Sequence, residues 1–134
     1  MTGRILIDTN AYSALMSGNS RVAAELAQSE AVLLSPIVVG ELLEGFRRGG
    51  RHAENWAILS RFREKPRTVL VPITDSTAEW YAEVKRMLRR KGSPIPLNDV
   101  WIAASCMEHG AKLLSFDAHF AEIDGLLRWE PEQA

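Results

Sequence analysis

The sequence predicts an α/β fold, an α/β/α sandwich with a short-stranded parallel central sheet, in one domain over residues 1–134. Three observations point to it. Short apolar runs at residues 4–8, 32–34, 69–71 and 112–115 are too brief for helices and suit buried strands. Stretches of helical composition separate these runs, and strands joined by helical crossovers lie parallel, with helices covering both faces. Gly and Pro stand between the segments as punctuation, with no repeat or low-complexity tract.

The first run, Ile5-Leu6-Ile7, ends in Asp8, after which Asn10 is expected to cap a helical turn. Residues 21–28 read as a helix and residues 32–34 as a second strand. Pro36 suits the first turn of a helix reaching Arg48, where Gly49 and Gly50 stop it. A further helix at 52–63 leads to a strand at 69–71 that Pro72 ends. Ser76 and Glu79 have capping-box spacing and open a helix whose Trp80, Val84 and Leu88 share one face, with Gly92 closing it. Asn98 is expected to cap the next helix, which runs to His109 and the stop at Gly110. A strand at 112–115, a short helix near 119–123 and an extended stub at 127–129 complete the order.

Composition narrows the functional classes. With 134 residues, 46% of them hydrophobic, the chain can bury a self-sufficient core, and its single Cys106 excludes an internal disulfide or a thiolate zinc site. A reducing, cytoplasmic setting is expected. The apolar run after Arg4 is too short for a signal peptide, and the longest apolar stretch, broken by Ser35 and Pro36, falls far short of a membrane span. Net charge is −1, from 16 basic and 17 acidic residues, so the protein as a whole is not drawn to nucleic acid. The bases nevertheless cluster, most densely from Lys85 to Lys91, whereas several acids stand alone among apolar residues.

In parallel sheets, ligands bind beyond the carboxyl ends of the strands. Asp8 ends the first strand and Asp117 follows the last by two residues, so both are expected in one cleft. Asp99 lies in the first turn of a helix, where backbone amides favour an anion, and Glu41 borders the apolar face of another. Each acid alone has an ordinary reading as turn, cap or edge charge. Together they imply convergence, and two carboxylates about 4 Å apart repel by about 4 kcal/mol at an effective dielectric near 20. Such a group must take up protons or bind a cation. Hard oxygen donors point to Mg²⁺ or Mn²⁺, and a divalent ion among carboxylates suits phosphodiester hydrolysis by activated water.

Asp8-Thr9-Asn10, Glu41-Leu42, Asn98-Asp99 followed by Ile102-Ala103-Ala104, and Leu114-Ser115-Phe116-Asp117-Ala118-His119-Phe120 closely resemble the motifs of PIN-domain ribonucleases, in particular VapC-type toxins of bacterial toxin-antitoxin pairs. The resemblance covers nearly the whole chain, with four short motifs in order. It implies a Mg²⁺- or Mn²⁺-dependent endoribonuclease leaving 5′-phosphate and 3′-hydroxyl ends, a homodimer, and a cognate VapB-like antitoxin whose tail occupies the groove. It also implies that Asp8, Glu41, Asp99 and Asp117 form the catalytic, metal-binding set, with Asp8 and Asp99 as direct ligands and Thr9, Asn10 and Ser115 in support. Ser115 stands where the family often has Thr and keeps the hydroxyl.

Other readings use the same residues. Arg89 and Arg90 could grip RNA phosphates or simply complement a helix C-terminus. Arg47, Arg48 and Arg51 read as a solvated face or an antitoxin contact, and Trp56, Trp80, Trp101 and Trp129 as packing residues. Tyr12 lies close enough in sequence to Asp8 to join the site. His52, His109 and His119 could support a metal-free ribonuclease, although His109 reads as a helix-end residue and His52 sits in a basic, glycine-rich stretch. A receiver-like signalling domain lacks its phosphate-accepting Asp, because residues 69–71 lead into Pro72. A non-catalytic RNA-binding module would bind without cutting.

Overall fold

The computed structural model describes residues 2–129, so the last five residues of the expected domain lie outside it. Four strands form one parallel sheet: β1 (Thr2–Ile7), β2 (Ser29–Leu34), β3 (Thr68–Leu70) and β4 (Lys112–Leu114), in the order β3-β2-β1-β4. In β1 the consecutive residues Ile5, Leu6 and Ile7 point alternately to opposite faces, yet all three are fully buried. Only a sheet covered on both sides can bury them, which is why β1 lacks the polar alternation of a one-sided strand. The architecture is the expected α/β/α sandwich.

The connections explain the layers. From β1 the chain passes through α1 (Thr9–Met16) and α2 (Ser20–Ala27) to β2, then through α3 (Pro36–Arg48) and α4 (His52–Arg63) to β3. It returns through α5 (Asp75–Lys91) and α6 (Leu97–Glu108) to β4 on the other side of β1. Right-handed crossovers that reverse direction put α5 and α6 on the face opposite the earlier helices. The reversal leaves a topological switch point between β1 and β4, where Leu6 pairs with Leu113 and Ile7 with Leu114. Beyond β4 a 3₁₀ turn (Ala118–Glu122) precedes Arg128, which bridges back to Leu113.

Several local expectations are corrected. Asp8, not Asn10, caps α1, because its extended backbone lets the carboxylate accept from the Ala11 N–H at 2.9 Å while Asn10 lies inside the helix. At α5 the cap moves two residues upstream of Ser76, to Thr74, whose N–H donates to Thr77 Oγ1 at 3.0 Å. That hydroxyl donates in turn to Glu108 Oε1 at 2.6 Å, fastening α5 to α6. Val84 and Leu88 are buried as expected, but Trp80, at the edge of their face, is exposed, and it is Tyr81 that stacks on Trp101, at 4.1 Å between ring centroids. Pro96 rather than Asn98 precedes α6 as its cap. Tyr12 is buried edge-on against Phe62 and belongs to the core. Trp129 is buried, whereas Trp56 is exposed on α4. Among the described residues, no helix is long and apolar enough to cross a membrane.

Candidate active site

A cleft of about 1050 Å³ opens at the switch point, beyond the carboxyl ends of β1 and β4 and between α3 and α6. Asp8, Glu41, Asp99 and Asp117 all line it, although the first and the last are 109 positions apart. The sheet order brings two of them together: β1 and β4 are hydrogen-bonded neighbours, so whatever follows either strand meets at one place. α3 supplies Glu41 from one wall and the first turn of α6 supplies Asp99 from the other.

Asp8 is the most deeply set, at 5% exposure. Its Oδ1 accepts from Ala11 N–H, and its Oδ2 accepts from the Ser115 hydroxyl. Ser115 Oγ also accepts from the Asp117 N–H at 3.0 Å, so one hydroxyl ties the acid after β1 to the acid after β4. Burial pushes the Asp8 carboxyl above its ordinary 3.8, with the negative charges of Asp99 and Asp117 adding to the rise; the Ser115 and Ala11 hydrogen bonds oppose it. Asp99 is raised likewise, chiefly by burial and further by Asp117 and Glu41, against the stabilising contact of His119. The acids therefore feel one another's fields, as convergence demands.

Glu41 is gripped at both ends. Thr9 Oγ1 donates to its Oε1 at 2.5 Å, and Asn98 Nδ2 donates to its Oε2 at 3.1 Å. Thr9 thus acts on Glu41, and Ser115 on Asp8. Asn10 is exposed on the cleft wall. Asn98 is a residue that sequence reasoning placed in the wrong job: with Pro96 at the helix cap, its amide is released to hold Glu41 across the cleft. The signal available was Pro96 itself, two residues before Asn98, where a chain entering a helix commonly turns.

His119 is the other addition. Its Nδ1 lies 3.3 Å from Asp99 Oδ2 and 3.1 Å from Asp117 Oδ1, while its backbone N–H donates to Asp117 Oδ1 at 2.9 Å. Ligand atoms of Asp99, Asp117 and His119 all lie within 4.8 Å of one another. The carboxylates of Asp8, Glu41, Asp99 and Asp117, lining one cleft, offer hard oxygen donors that fit Mg²⁺ or Mn²⁺, with the His119 imidazole a softer donor beside them and no thiolate among the described lining residues. The carboxyls of Asp8 and Asp99, raised chiefly by burial and further by neighbouring acids, support the fit, because a cation beside them favours their charged forms.

Arg89 and Arg90 are not brought to this cleft. They lie in the last turn of α5, where Arg89 borders a separate hollow of about 290 Å³ with Lys85 and Pro94. His52 is exposed at the start of α4, and His109 ends α6 beside Glu108, so the three histidines do not form a common site.

The family profile for the PIN domain matches residues 5–126. Among curated relatives, the chain is 24% identical to Ribonuclease VapC5 of Mycobacterium tuberculosis, over 90% of this chain and 87% of that one. It is also 24% identical to Ribonuclease VapC1 of Haemophilus influenzae strain R2866, over 93% and 95%. Among solved structures it is similar to DNA-bound VapBC from Salmonella typhimurium, with a TM-score of 0.84 at 20% identity over 96% and 98% of the two chains.

Proposed function

The chain belongs to the PIN-domain family, and from that premise we propose that it is a divalent-metal-dependent endoribonuclease of the VapC type, the toxin of a toxin-antitoxin pair. The observation that carries the reading is the gathering of Asp8, Glu41, Asp99 and Asp117, from four distant segments, into one cleft at the sheet's switch point. Two relatives named Ribonuclease VapC span nearly the whole chain, and the Salmonella typhimurium neighbour is a VapBC complex, which supports an RNA substrate and a VapB-like antitoxin. A homodimer is part of the same proposal.

We assign Asp8, Asp99 and Asp117 to metal binding, with His119 as an additional donor and Glu41 at the border of the site. A bound Mg²⁺ or Mn²⁺ supplies a lowered pKa for a coordinated water and offsets charge developing on the phosphoryl oxygens. The chain's own residues do the positioning. Ser115 holds Asp8 and Asp117 at a fixed separation, and Asn98 and Thr9 fix the Glu41 carboxylate so that it cannot swing away from the cleft. His119 spans Asp99 and Asp117 and orients the two carboxylates toward each other.

Purified protein incubated with total RNA, with and without Mg²⁺ or Mn²⁺, tests the proposal by sequencing of RNA ends. New 5′-phosphate ends should form with metal, vanish on chelation and be absent for Asp8→Asn. RNA left intact under both metals, or cut equally by the variant, would overturn it. Expression should also arrest growth, with relief from a co-expressed antitoxin.

A further inference from the structure

An acidic cleft poses a problem for an RNA substrate: the carboxylates that suit a cation repel every phosphate not neutralised by it. Among the described residues lining the cleft, the cationic side chains are Arg48 and, when protonated, His119, and His119 is engaged by Asp99 and Asp117. We propose that Arg48 is the phosphate-binding residue of the cleft, gripping the RNA backbone at the outer end of the acidic wall. The inference rests on the nuclease reading for the identity of the polyanion.

The placement follows from the helix. Glu41, Glu44 and Arg48 lie at i, i+3 and i+7 on α3, so they share a face, and Arg48 stands about 10 Å along the axis from Glu41. Arg47, its neighbour, is turned about 100° away and does not line the cleft. Arg48, expected with Arg47 and Arg51 as a solvated face or an antitoxin contact, stays solvent-exposed but lies at the outer end of the acidic wall.

Glu44 keeps the guanidinium ready. Arg48 Nε donates to Glu44 Oε2 at 2.8 Å, with the two side chains 76% and 63% exposed. A guanidinium has five N–H donors, so one contact leaves others for a phosphate, and an exposed pair of this spacing is weak enough to yield. Glu44 is then both a tether and a competing anion. That double role separates the proposal from a merely structural ion pair, in which removing either partner has the same effect.

The probe is a fluorescent, mixed-sequence single-stranded RNA oligonucleotide, bound by protein carrying Asp8→Asn to prevent cleavage, across a salt series. Adding Arg48→Ala should weaken binding about tenfold and lower the log–log salt slope by about 0.7, the value for one phosphate contact on a single strand. Arg47→Ala, with the same charge change, should stay within about twofold, and Glu44→Gln should tighten binding about two- to threefold by removing the competitor. In the otherwise native enzyme Arg48→Ala should raise KM about tenfold with kcat within about twofold, because uniform binding is what is lost. Equal losses for Arg47→Ala and Arg48→Ala, or weakening by Glu44→Gln as large as by Arg48→Ala, would overturn the assignment. Cleavage without this Arg48 signature sinks the inference and spares the nuclease reading, whereas the signature without cleavage does the reverse.

Discussion

The end of β1 and the residue that directly follows it are built to opposite specifications. Ile5, Leu6 and Ile7 are apolar and fully buried, and each contributes to stability by leaving water. Asp8, the next residue, is almost as deeply set, but burial and two neighbouring acids push its carboxyl upward. The strand thus anchors the fold along its length and stores repulsion at its tip. The lesson of the contrast is that the sheet anchors the fold through apolar burial, while hydrogen bonds from Ser115, Thr9 and Asn98 set the positions of the cleft's acids.

The sharpest way to break this comparison is to neutralise the tip. Asp8→Asn or Asp99→Asn should lower RNA cleavage by about a thousandfold or more, measured as initial rates, while the metal-free melting temperature holds or rises. The fold should tolerate Asp8→Asn because Asn is an equally good helix cap and the Ser115 hydroxyl can rotate to accept from the new amide. A variant as active as the parent would detach the acid from the chemistry. The converse change, Leu6→Ala, should cost about 2–5 kcal/mol in denaturant unfolding, with activity per folded molecule nearly unchanged.

A smaller effect is expected where side chains act through Glu41. Asn98→Ala should weaken metal-dependent activity by about 10- to 100-fold, the range typical when a group that orients a metal-binding carboxylate is lost. Raising the metal concentration should recover part of the rate. A purely structural Asn98 would lose stability without that recovery.

The mildest test is pH. Because the folded-state pKa of Asp8 lies above its ordinary 3.8, the folded protein binds the extra proton more readily than the unfolded chain. The stability contributed by that group is full below about pH 3.8 and is lost as pH rises through the raised value. Without metal, the advantage of Asp8→Asn over the parent in unfolding experiments should therefore grow from acid toward neutral pH. An advantage that shrank over that range would reverse the sign of the burial argument.

The legible and the illegible parts of the molecule divide along the same line. The buried strands could be read because their apolar runs are local, and the stops at Gly92 and Gly110 could be read because both adopt the left-handed backbone that glycine favours. The four acids could be read from their places after strands and in helix turns. Sheet order could not, since pairing β4 with β1 depends on contacts between residues more than 100 positions apart. For the same reason Asn98 was read as a local cap when its partner, Glu41, lies 57 residues away. His119 was visible in its motif, but its place between Asp99 and Asp117 depends on how α6 meets the turn after β4. Trp80 misses the buried face of α5 because Thr77, Val84 and Leu88, three and four residues apart with Tyr81 between them, turn inward and leave Trp80 at the edge.

The most direct test is calorimetric titration of the RNA-free protein with Mn²⁺, comparing the parent with Asp99→Asn and with Asp75→Asn, an exposed acid at the start of α5 outside the cleft. Saturable binding that survives Asp75→Asn and disappears in Asp99→Asn is the predicted result. Equal binding by all three proteins, or no saturable binding by the parent, would contradict the claim that these carboxylates form one cation site.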